Sequence, residues 1–130
     1  MFAGGVRAMD LLAVECEVRQ DAVVVRAEGD IDSTTVDELT AHLTTALQLA
    51  ATHPARLVVI DLQPVTFFGS AGLNAVLDCH EQGAAAGTSV RLVAGHGQVT
   101  QPIKVTELDR ILQIYPTLAQ ALQTARPKEL

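Results

Sequence analysis

The 130-residue chain has very few aromatic residues, with no Trp, one Tyr and three Phe. Its core must therefore be built from Val, Leu, Ile and Ala, since hydrophobic residues make up 48% of the chain. Basic residues are also few: 9 Lys and Arg stand against 15 Asp and Glu, and the formal net charge is −6. This balance argues against nucleic acid and anionic membrane surfaces as partners, because both attract a basic face.

Cysteines and long apolar runs are scarce as well. Cys16 and Cys79 lie far apart and match no metal-binding or redox spacing, so we expect free, buried thiols and neither a metal nor a cofactor. No apolar run approaches the roughly 18 residues that a membrane helix needs, and the first ten residues lack a secretory signal's apolar segment. The sequence therefore predicts a cytoplasmic protein with a flexible tail over 1–8, one domain over 9–125 and a C-terminal tail over 126–130.

The order of secondary-structure patterns predicts an α/β fold. Two β-rich segments separated by Gln20 and Asp21 indicate an N-terminal β-hairpin, and strands then alternate with helices. The predicted strands are 11–19, 22–28, 56–62, 89–94 and 111–115, and the predicted helices are about 36–50, 70–87, 98–108 and 116–125. Such alternation predicts parallel pairing through right-handed crossovers, and therefore a mostly parallel mixed sheet.

The loop before the first predicted helix offers several residues that could cap it. Thr35 and Glu38 have the spacing of a capping box, and Asp32 or Ser33 could cap the helix equally well. The carboxylates of Asp30 and Asp32 are most simply partners of the helix N-terminus, because catalytic use would require a cleft of which the sequence gives no sign.

The segment TFFGSAGLNAVL at 66–77 places Ser70 between two glycines where a helix is predicted to begin. Ser70 could be a helix cap, a catalytic nucleophile or a hydroxyl exposed for modification by another protein. A nucleophile elbow requires Gly two residues earlier, where Phe68 stands, and no histidine is singled out as the base. The cap and the modified hydroxyl both remain open, because an exposed serine at a helix N-terminus can serve in either role. A phosphate added there would bring a charge of about −1.5 to −2, which the positive end of the helix dipole tolerates.

Two motifs resemble the STAS domain of bacterial anti-sigma-factor antagonists. They are GDID at 29–32 and GSAGL at 69–73, and the resemblance extends over about residues 11–123. It implies a single STAS-type domain that is not an enzyme and binds an anti-sigma factor of the serine-kinase type, which releases the sigma factor. It also implies that the kinase phosphorylates Ser70, that this breaks the complex, and that a phosphatase reverses the modification.

The resemblance also implies where the partner binds. The implied partner-binding residues are Gly29, Asp30, Asp32, Ser33, Thr34, Gly69, Ser70, Ala71, Gly72 and Asn74. One position departs from the family pattern, because Gly69 stands where the family has an Asp before the phosphorylated serine. This departure keeps an alternative open, in which the chain is a scaffold that is not phosphorylated, or a module that senses a small ligand or a nucleotide.

Overall fold

A six-stranded mixed sheet organises residues 11–123, the part of the chain that the computed structural model describes. The strands are β1 Leu12–Val18, β2 Val23–Ile31, β3 Leu57–Asp61, β4 Val65–Phe68, β5 Ser89–Val93 and β6 Gln113–Tyr115. The helices are α1 Val36–Ala50, α2 Ser70–Ala86, α3 Gly97–Val105 and α4 Leu118–Gln123, and a 3-10 turn spans Leu108–Arg110. The tails expected at 1–8 and 126–130 lie outside the described residues.

The strand order confirms the predicted α/β class. β1 and β2 form the antiparallel hairpin, with Val18 opposite Val23, and the sheet continues in parallel through β3, β5 and β6. All residues of β3 are buried, because it lies between β2 and β5 and is covered on both faces. Four of its five residues are apolar, Leu57 to Ile60, as is typical of a parallel strand that is covered on both faces.

Helices cover both faces of the sheet. On one face, α1 buries four apolar side chains against the main core, and α2 adds others from the same layer. The buried apolar side chains of these helices are those of Leu39, Leu43, Ala46, Ala50, Leu73, Val76 and Cys79. On the opposite face, Ala121 of α4 packs over a smaller cluster that includes Val24 and Val59. Each large apolar side chain removed from water contributes about 1.5–3 kcal/mol.

The strand β4 was not predicted. It pairs in parallel with the end of β2, beyond the point where β3 stops, with Asp30 opposite Phe67 and Ile31 opposite Phe68. Its four residues follow Pro64 and show no alternation, since Val65 and Phe68 are buried while the two residues between them are exposed. β4 brings the second motif to the end of the strand that carries the first.

Three predicted boundaries near the C-terminus are wrong. The helix predicted over 98–108 is α3, which ends at Val105. The last strand begins at Gln113 instead of 111, because the 3-10 turn and the bend that follows it occupy the preceding residues. Pro116 does not lie in the first turn of the last helix, which begins at Leu118. Thr117 precedes this helix instead, and its hydroxyl accepts a hydrogen bond from the backbone N–H of Gln120 at 3.2 Å, as a helix cap does.

Candidate functional site

The two motifs meet at one edge of the sheet. The backbone N–H of Gly69 donates a hydrogen bond to the carbonyl oxygen of Ile31 at 2.9 Å, so the start of α2 is tied to the end of β2. Parallel strands end at the same edge, which is why the chain around Asp32 and the chain around Ser70 come together here. The two motifs are thus held together by a backbone hydrogen bond.

Ser70 is the first residue of α2, and its side chain is exposed. The N-cap position belongs to Gly69, which has extended backbone angles and makes no side-chain cap. The hypothesis that Ser70 caps the helix is therefore wrong, because a cap must precede the first helical residue. The Ser70 hydroxyl stands instead beside first-turn N–H groups that have no intrahelical acceptor, and no acidic side chain occupies that turn.

The histidines of this chain do not form a catalytic pair with Ser70. Three of them lie within hydrogen-bond distance of backbone carbonyl oxygens: His42 at 2.9 Å, His53 at 2.8 Å and His96 at 2.9 Å. His80 lies ten residues further along α2, about 15 Å away by the helical rise of 1.5 Å per residue. None of the four histidines, all of which lie within residues 11–123, is hydrogen-bonded to Ser70 as a general base would be.

The loop between β2 and α1 is held by its own polar side chains. Asp32 Oδ1 accepts hydrogen bonds from the Thr34 hydroxyl at 2.7 Å and from the Thr34 N–H at 2.9 Å. These bonds, the one from the hydroxyl first, hold the pKa of Asp32 below its ordinary value. The Asp32 carboxylate therefore stays charged and fixed at the surface of this loop.

The expected capping box at the start of α1 is not formed. Thr35 is the N-cap residue, but its side chain makes no capping bond to the helix. Its hydroxyl points back into the loop, where it donates to the Asp30 carbonyl oxygen at 2.8 Å and accepts from the Asp32 N–H at 3.0 Å. The competing bonds within the loop therefore displace the capping geometry that the spacing of Thr35 and Glu38 favours.

Asp30 and Gly29 join the loop to the strands on either side. Asp30 Oδ1 accepts a hydrogen bond from the Thr66 hydroxyl of β4 at 2.7 Å, and the Asp30 N–H donates to the Leu11 carbonyl oxygen at 2.7 Å. Gly29 has a φ of +115°, and a Cβ atom at this position would lie 2.1 Å from the Leu11 oxygen. Only glycine can adopt this backbone conformation so close to Leu11 without strain.

The implied partner-binding residues differ in how far they reach the surface. Those with exposed or half-buried positions are Gly29, Asp30, Asp32, Ser33, Thr34, Gly69, Ser70, Ala71 and Asn74. Gly72 is buried, and a Cβ atom there would lie 2.6 Å from Ile31 Cγ2 and 2.9 Å from Phe68 Cε1. Gly72 therefore lets α2 approach β2 closely and supports the surface from beneath.

One feature of this edge was missed by the sequence analysis. Phe67 is 49% exposed and lines an open groove of about 580 Å³ together with His96, Gln98, Gln101 and Pro102. Neighbouring residues of a strand point to opposite faces, so the pair Phe67–Phe68 was a signal that one of the two rings faces outward. Two residues of β4, Phe67 and Phe68, line this groove, and the exposed Phe67 ring adds apolar area to an otherwise polar surface.

The charge of this edge is one-sided. Neither residues 27–55 nor residues 57–90 contain a Lys or an Arg. The first of these segments carries five carboxylates, among them Asp30 and Asp32. A partner that binds across both segments would meet negative charge and one exposed aromatic ring, which favours a partner surface with basic and apolar groups.

Neither cysteine has the properties of a reactive thiol. Both are free, and burial raises the pKa of Cys79 to about 12 and shifts the pKa of Cys16 in the same direction. Cys79 is buried as expected, whereas Cys16 is only half-buried.

Residues 11–123 contain no group of three or more His, Cys, Asp or Glu side chains placed to hold a metal ion. Among the helices of that range, none has the length and apolar character needed to cross a membrane.

Comparisons with known proteins agree on one family. A family model described as the STAS domain matches residues 13–121. The anti-sigma-F factor antagonist RsfB of Mycobacterium tuberculosis is 32% identical over 121 residues, which cover 92% of this chain and 93% of RsfB. An anti-sigma factor antagonist from Mycobacterium paratuberculosis, solved as a crystal structure, has a TM-score of 0.80 at 30% identity and covers 88% of this chain and 94% of its own.

A more distant structure shares the fold. The anti-sigma factor antagonist SpoIIAA in its unphosphorylated form has a TM-score of 0.70 at 20% identity, covering 91% of this chain and 100% of that one. The phosphorylated form of SpoIIAA from Bacillus has a TM-score of 0.65 at 21% identity, covering 88% and 100%. At these identities the likeness establishes the fold alone.

Proposed function

We infer that this chain, which belongs to the STAS domain family, is an anti-sigma-factor antagonist that binds an anti-sigma factor and thereby frees a sigma factor. The observation that carries this inference is Ser70, an exposed serine at the first residue of α2 beside the acidic end of β2. The 32% identity to RsfB over nearly the full length supports the same function. Catalysis is not part of the proposal, because no histidine among the described residues is hydrogen-bonded to Ser70.

The docking surface that we propose consists of the Asp30–Thr34 loop, the first turn of α2 and the exposed Phe67 ring. The loop supplies negative charge that its own hydrogen bonds hold in place. Phe67 supplies apolar area beside Ser70, and exposed aromatic rings commonly carry a large share of binding energy. The expected partner is an anti-sigma factor of the serine-kinase type whose contacting surface is basic with an apolar pocket.

Phosphorylation of Ser70 would switch this surface off. The helix itself tolerates a phosphate there, since the N–H groups of the first turn and the helix dipole favour a negative charge. A docked partner does not tolerate it, because about −1.5 to −2 charges would be buried in the contact. The expected regulators are the anti-sigma kinase, which uses ATP, and a phosphatase that restores the hydroxyl.

The rival function is a STAS scaffold or a sensor that is not phosphorylated, and Gly69 is the observation that favours it. A carboxylate at that position could be read by a kinase, and this chain lacks it. The fold around Ser70 does not depend on that carboxylate, since the backbone of Gly69 alone ties α2 to Ile31. We therefore keep phosphorylation in the proposal and expect it to be slower than with an Asp at position 69.

The test is a phosphorylation assay with the anti-sigma kinases of the same bacterium. Each kinase is incubated with the protein and ATP, the modified residue is located by mass spectrometry, and complex formation is followed by size-exclusion chromatography. Phosphate at Ser70, absent from Ser70→Ala, together with loss of a complex that the unmodified protein forms, is the expected result. A stable complex without any phosphate transfer would favour the scaffold. If no complex forms with any of the kinases, the proposed antagonist function is wrong.

The compartment that we propose is the bacterial cytoplasm. Both cysteines are free thiols, which is the state that a reducing compartment maintains. Nucleic acid and membranes are not proposed partners, because the docking surface is acidic.

A further inference from the structure

The open groove beside Phe67 has two walls that belong to different elements. One wall is formed by Phe67 and Phe68 of β4. The other wall is the start of α3, with His96, Gly97, Gln98, Gln101 and Pro102. α3 packs directly against β4, and its inner side chains are fully buried in the main core. The groove is therefore a part of the folded domain and does not require a partner to form it.

Hydrogen bonds between loops hold the α3 wall in place. His96, the N-cap residue of α3, donates from Nε2 to the carbonyl oxygen of Gln63 at 2.9 Å, in the loop between β3 and β4. Gln63 Nε2 in turn donates to the carbonyl oxygen of Pro116 at 3.0 Å, in the loop before α4. Three loops are thus tied together, and a groove that is already ordered costs a partner less conformational entropy on binding.

The lining of the groove is apolar and amide-bearing. None of its residues is Asp, Glu, Lys or Arg. Gln98 and Gln101 are exposed, lie about one turn apart on α3, and have no hydrogen-bond partner for their side-chain amides within residues 11–123. Charged groups flank the groove without lining it: Lys104 follows on α3, and Asp30 lies opposite Phe67 in the pairing of β2 with β4. The lining itself fits an apolar side chain whose backbone groups hydrogen-bond to the two amides.

The groove is continuous with the Ser70 turn through the Phe67 ring. A Cβ atom at Gly69, the residue before Ser70, would lie 3.1 Å from Phe67 Cε2 and 3.5 Å from Phe67 Cζ. The end of the ring therefore lies over the N-cap of α2, while the same ring lines the groove. A partner that covers the Phe67 ring next to Ser70 also reaches the groove.

We propose that this groove receives a large apolar side chain of the anti-sigma factor, such as Leu, Ile, Met or Phe, so that α3 belongs to the docking surface. This inference rests on the proposed function. The apolar side chain lies against Phe67 and forms one wall of the partner's apolar pocket, and its backbone groups hydrogen-bond to Gln98 and Gln101. The groove thereby selects among anti-sigma factors, because one with a charged side chain at this place would leave that charge in an apolar contact and bind more weakly.

The test adds a charge of either sign at Gln101. The affinity of the anti-sigma kinase that forms the complex is measured by isothermal titration calorimetry for the unchanged protein, Gln101→Glu and Gln101→Lys. Both variants should bind about tenfold more weakly, because either charge would be placed in an apolar contact that excludes water. Each variant should keep the thermal transition of the unchanged protein, since Gln101 is exposed.

Gln48→Glu and Gln48→Lys are the matched controls. Gln48 is exposed on α1, about 18 Å beyond the start of that helix by the helical rise of 1.5 Å per residue. At a salt concentration of about 0.15 M, charges more than about 8 Å apart are largely screened. Both controls should therefore keep the affinity of the unchanged protein.

A double-mutant cycle with Phe67→Ala locates the effect. Gln101→Glu should cost less affinity in the Phe67→Ala protein than in the unchanged one, because both residues contact the same side chain of the partner. An equal cost in the two proteins would overturn the proposal.

The sign of the two effects separates an apolar occupant from a charged one. Tighter binding of Gln101→Glu together with weaker binding of Gln101→Lys would mean that the groove faces a basic surface, and would overturn the proposal. Unchanged affinities for both variants would also overturn it, while leaving the proposed function and the Ser70 switch intact. If no anti-sigma kinase binds the unchanged protein, the proposed function is wrong and this inference is wrong with it.

Discussion

The backbone N–H of Gly69 lies 2.9 Å from the carbonyl oxygen of Ile31 and donates a hydrogen bond to it. This bond closes the parallel pairing of β4 with β2 and sets where α2 begins relative to the Asp32 loop. The docking surface is therefore built by the backbone and does not depend on the Ser70 side chain. A charge added at Ser70 would act on a preformed surface, as is usual for interfaces whose backbone changes little on binding.

Gly29 should be among the least replaceable residues of the domain. In Gly29→Ala, the added Cβ atom would lie 2.1 Å from the Leu11 carbonyl oxygen, on a backbone with a φ of +115°. We expect a loss of at least about 2 kcal/mol in the free energy of unfolding, because both the clash and the backbone strain must be relieved. Urea denaturation measures this loss.

Gly97→Ala is the control for this prediction. A Cβ atom at Gly97 meets nothing within 4 Å, and the residue begins α3. Alanine there should leave the stability unchanged or raise it by up to about 1 kcal/mol. Equal denaturation midpoints for the two variants would contradict the close contact between Gly29 and the Leu11 carbonyl oxygen.

The pKa of Asp32 should respond to Thr34. The Thr34 hydroxyl donates to Asp32 Oδ1 at 2.7 Å and is the largest cause of the lowered pKa of this carboxyl group. A lowered folded-state pKa contributes stability that is present above the unfolded value of about 3.9 and is lost as the pH falls through the folded pKa. Thr34→Val should therefore raise the pKa of Asp32 toward its ordinary value in an NMR titration of the side-chain carboxyl group.

Thr45→Val is a matched control for the pKa measurement, since the Thr45 hydroxyl donates to the Ala41 carbonyl oxygen on α1 and does not contact Asp32. The pKa of Asp32 should be the same in this variant as in the unchanged protein. If Thr34→Val also leaves it unchanged, the loop is not held by the hydroxyl bond.

The elements that the sequence predicted well are those with strong local patterns. β3 is a short and almost continuous apolar run that ends in Asp61, and the start of α2 at Ser70 was predicted to the residue. β4 was missed because its four residues pair with β2 only through tertiary contact. The identity of the α2 cap was wrong for the same reason: the extended conformation of Gly69 is held by a bond to Ile31, which no local pattern contains.

The candidate site was predictable only in part. The motifs around Asp32 and Ser70 indicated which segments matter, and their meeting follows from parallel strands ending at one edge. The pair Phe67–Phe68 indicates that one ring faces outward, but which ring does so depends on how β4 pairs with β2, and no local pattern contains that pairing.

Phe67 should contribute to partner binding without contributing much to stability. Its ring is 49% exposed, so Phe67→Ala should cost far less stability than the roughly 3–5 kcal/mol of a buried phenylalanine. If the partner covers the ring, the variant should lose about tenfold or more in affinity, measured by isothermal titration calorimetry with the anti-sigma factor. Val105→Ala, at a residue that is 71% exposed, should keep the affinity of the unchanged protein. Equal affinities for both variants would remove Phe67 from the docking surface.

Restoring the missing carboxylate should accelerate phosphorylation. Position 69 is the N-cap of α2, where Asp is favoured over Gly by a few tenths of a kcal/mol, so Gly69→Asp should fold at least as well. The Phe67 ring, 3.1 Å from a Cβ atom at this position, must shift slightly. Gly69→Asn is the matched neutral control, since it has nearly the same shape and is also a good cap. A faster phosphate transfer in Gly69→Asp than in Gly69→Asn would mean that the kinase reads the charge, whereas equal rates would mean that position 69 does not limit it.

The stability and the partner affinity of Ser70 variants distinguish a phosphorylation switch from an ordinary surface serine. Because Gly69 holds the cap position, Ser70→Ala should change the free energy of unfolding by less than about 0.5 kcal/mol, and Ser70→Asp should be neutral or stabilising by about 0.3–1 kcal/mol through the helix dipole. Partner affinity should separate the two variants. Ser70→Ala should bind as the unchanged protein does, and Ser70→Asp should lose about a hundredfold, since an unpaired charge buried in an interface costs several kcal/mol. Gln48→Glu adds the same charge at an exposed position of α1 and should not change the affinity. If Ser70→Asp binds as tightly as Ser70→Ala, phosphorylation cannot act through charge at this residue, and the proposed switch is wrong.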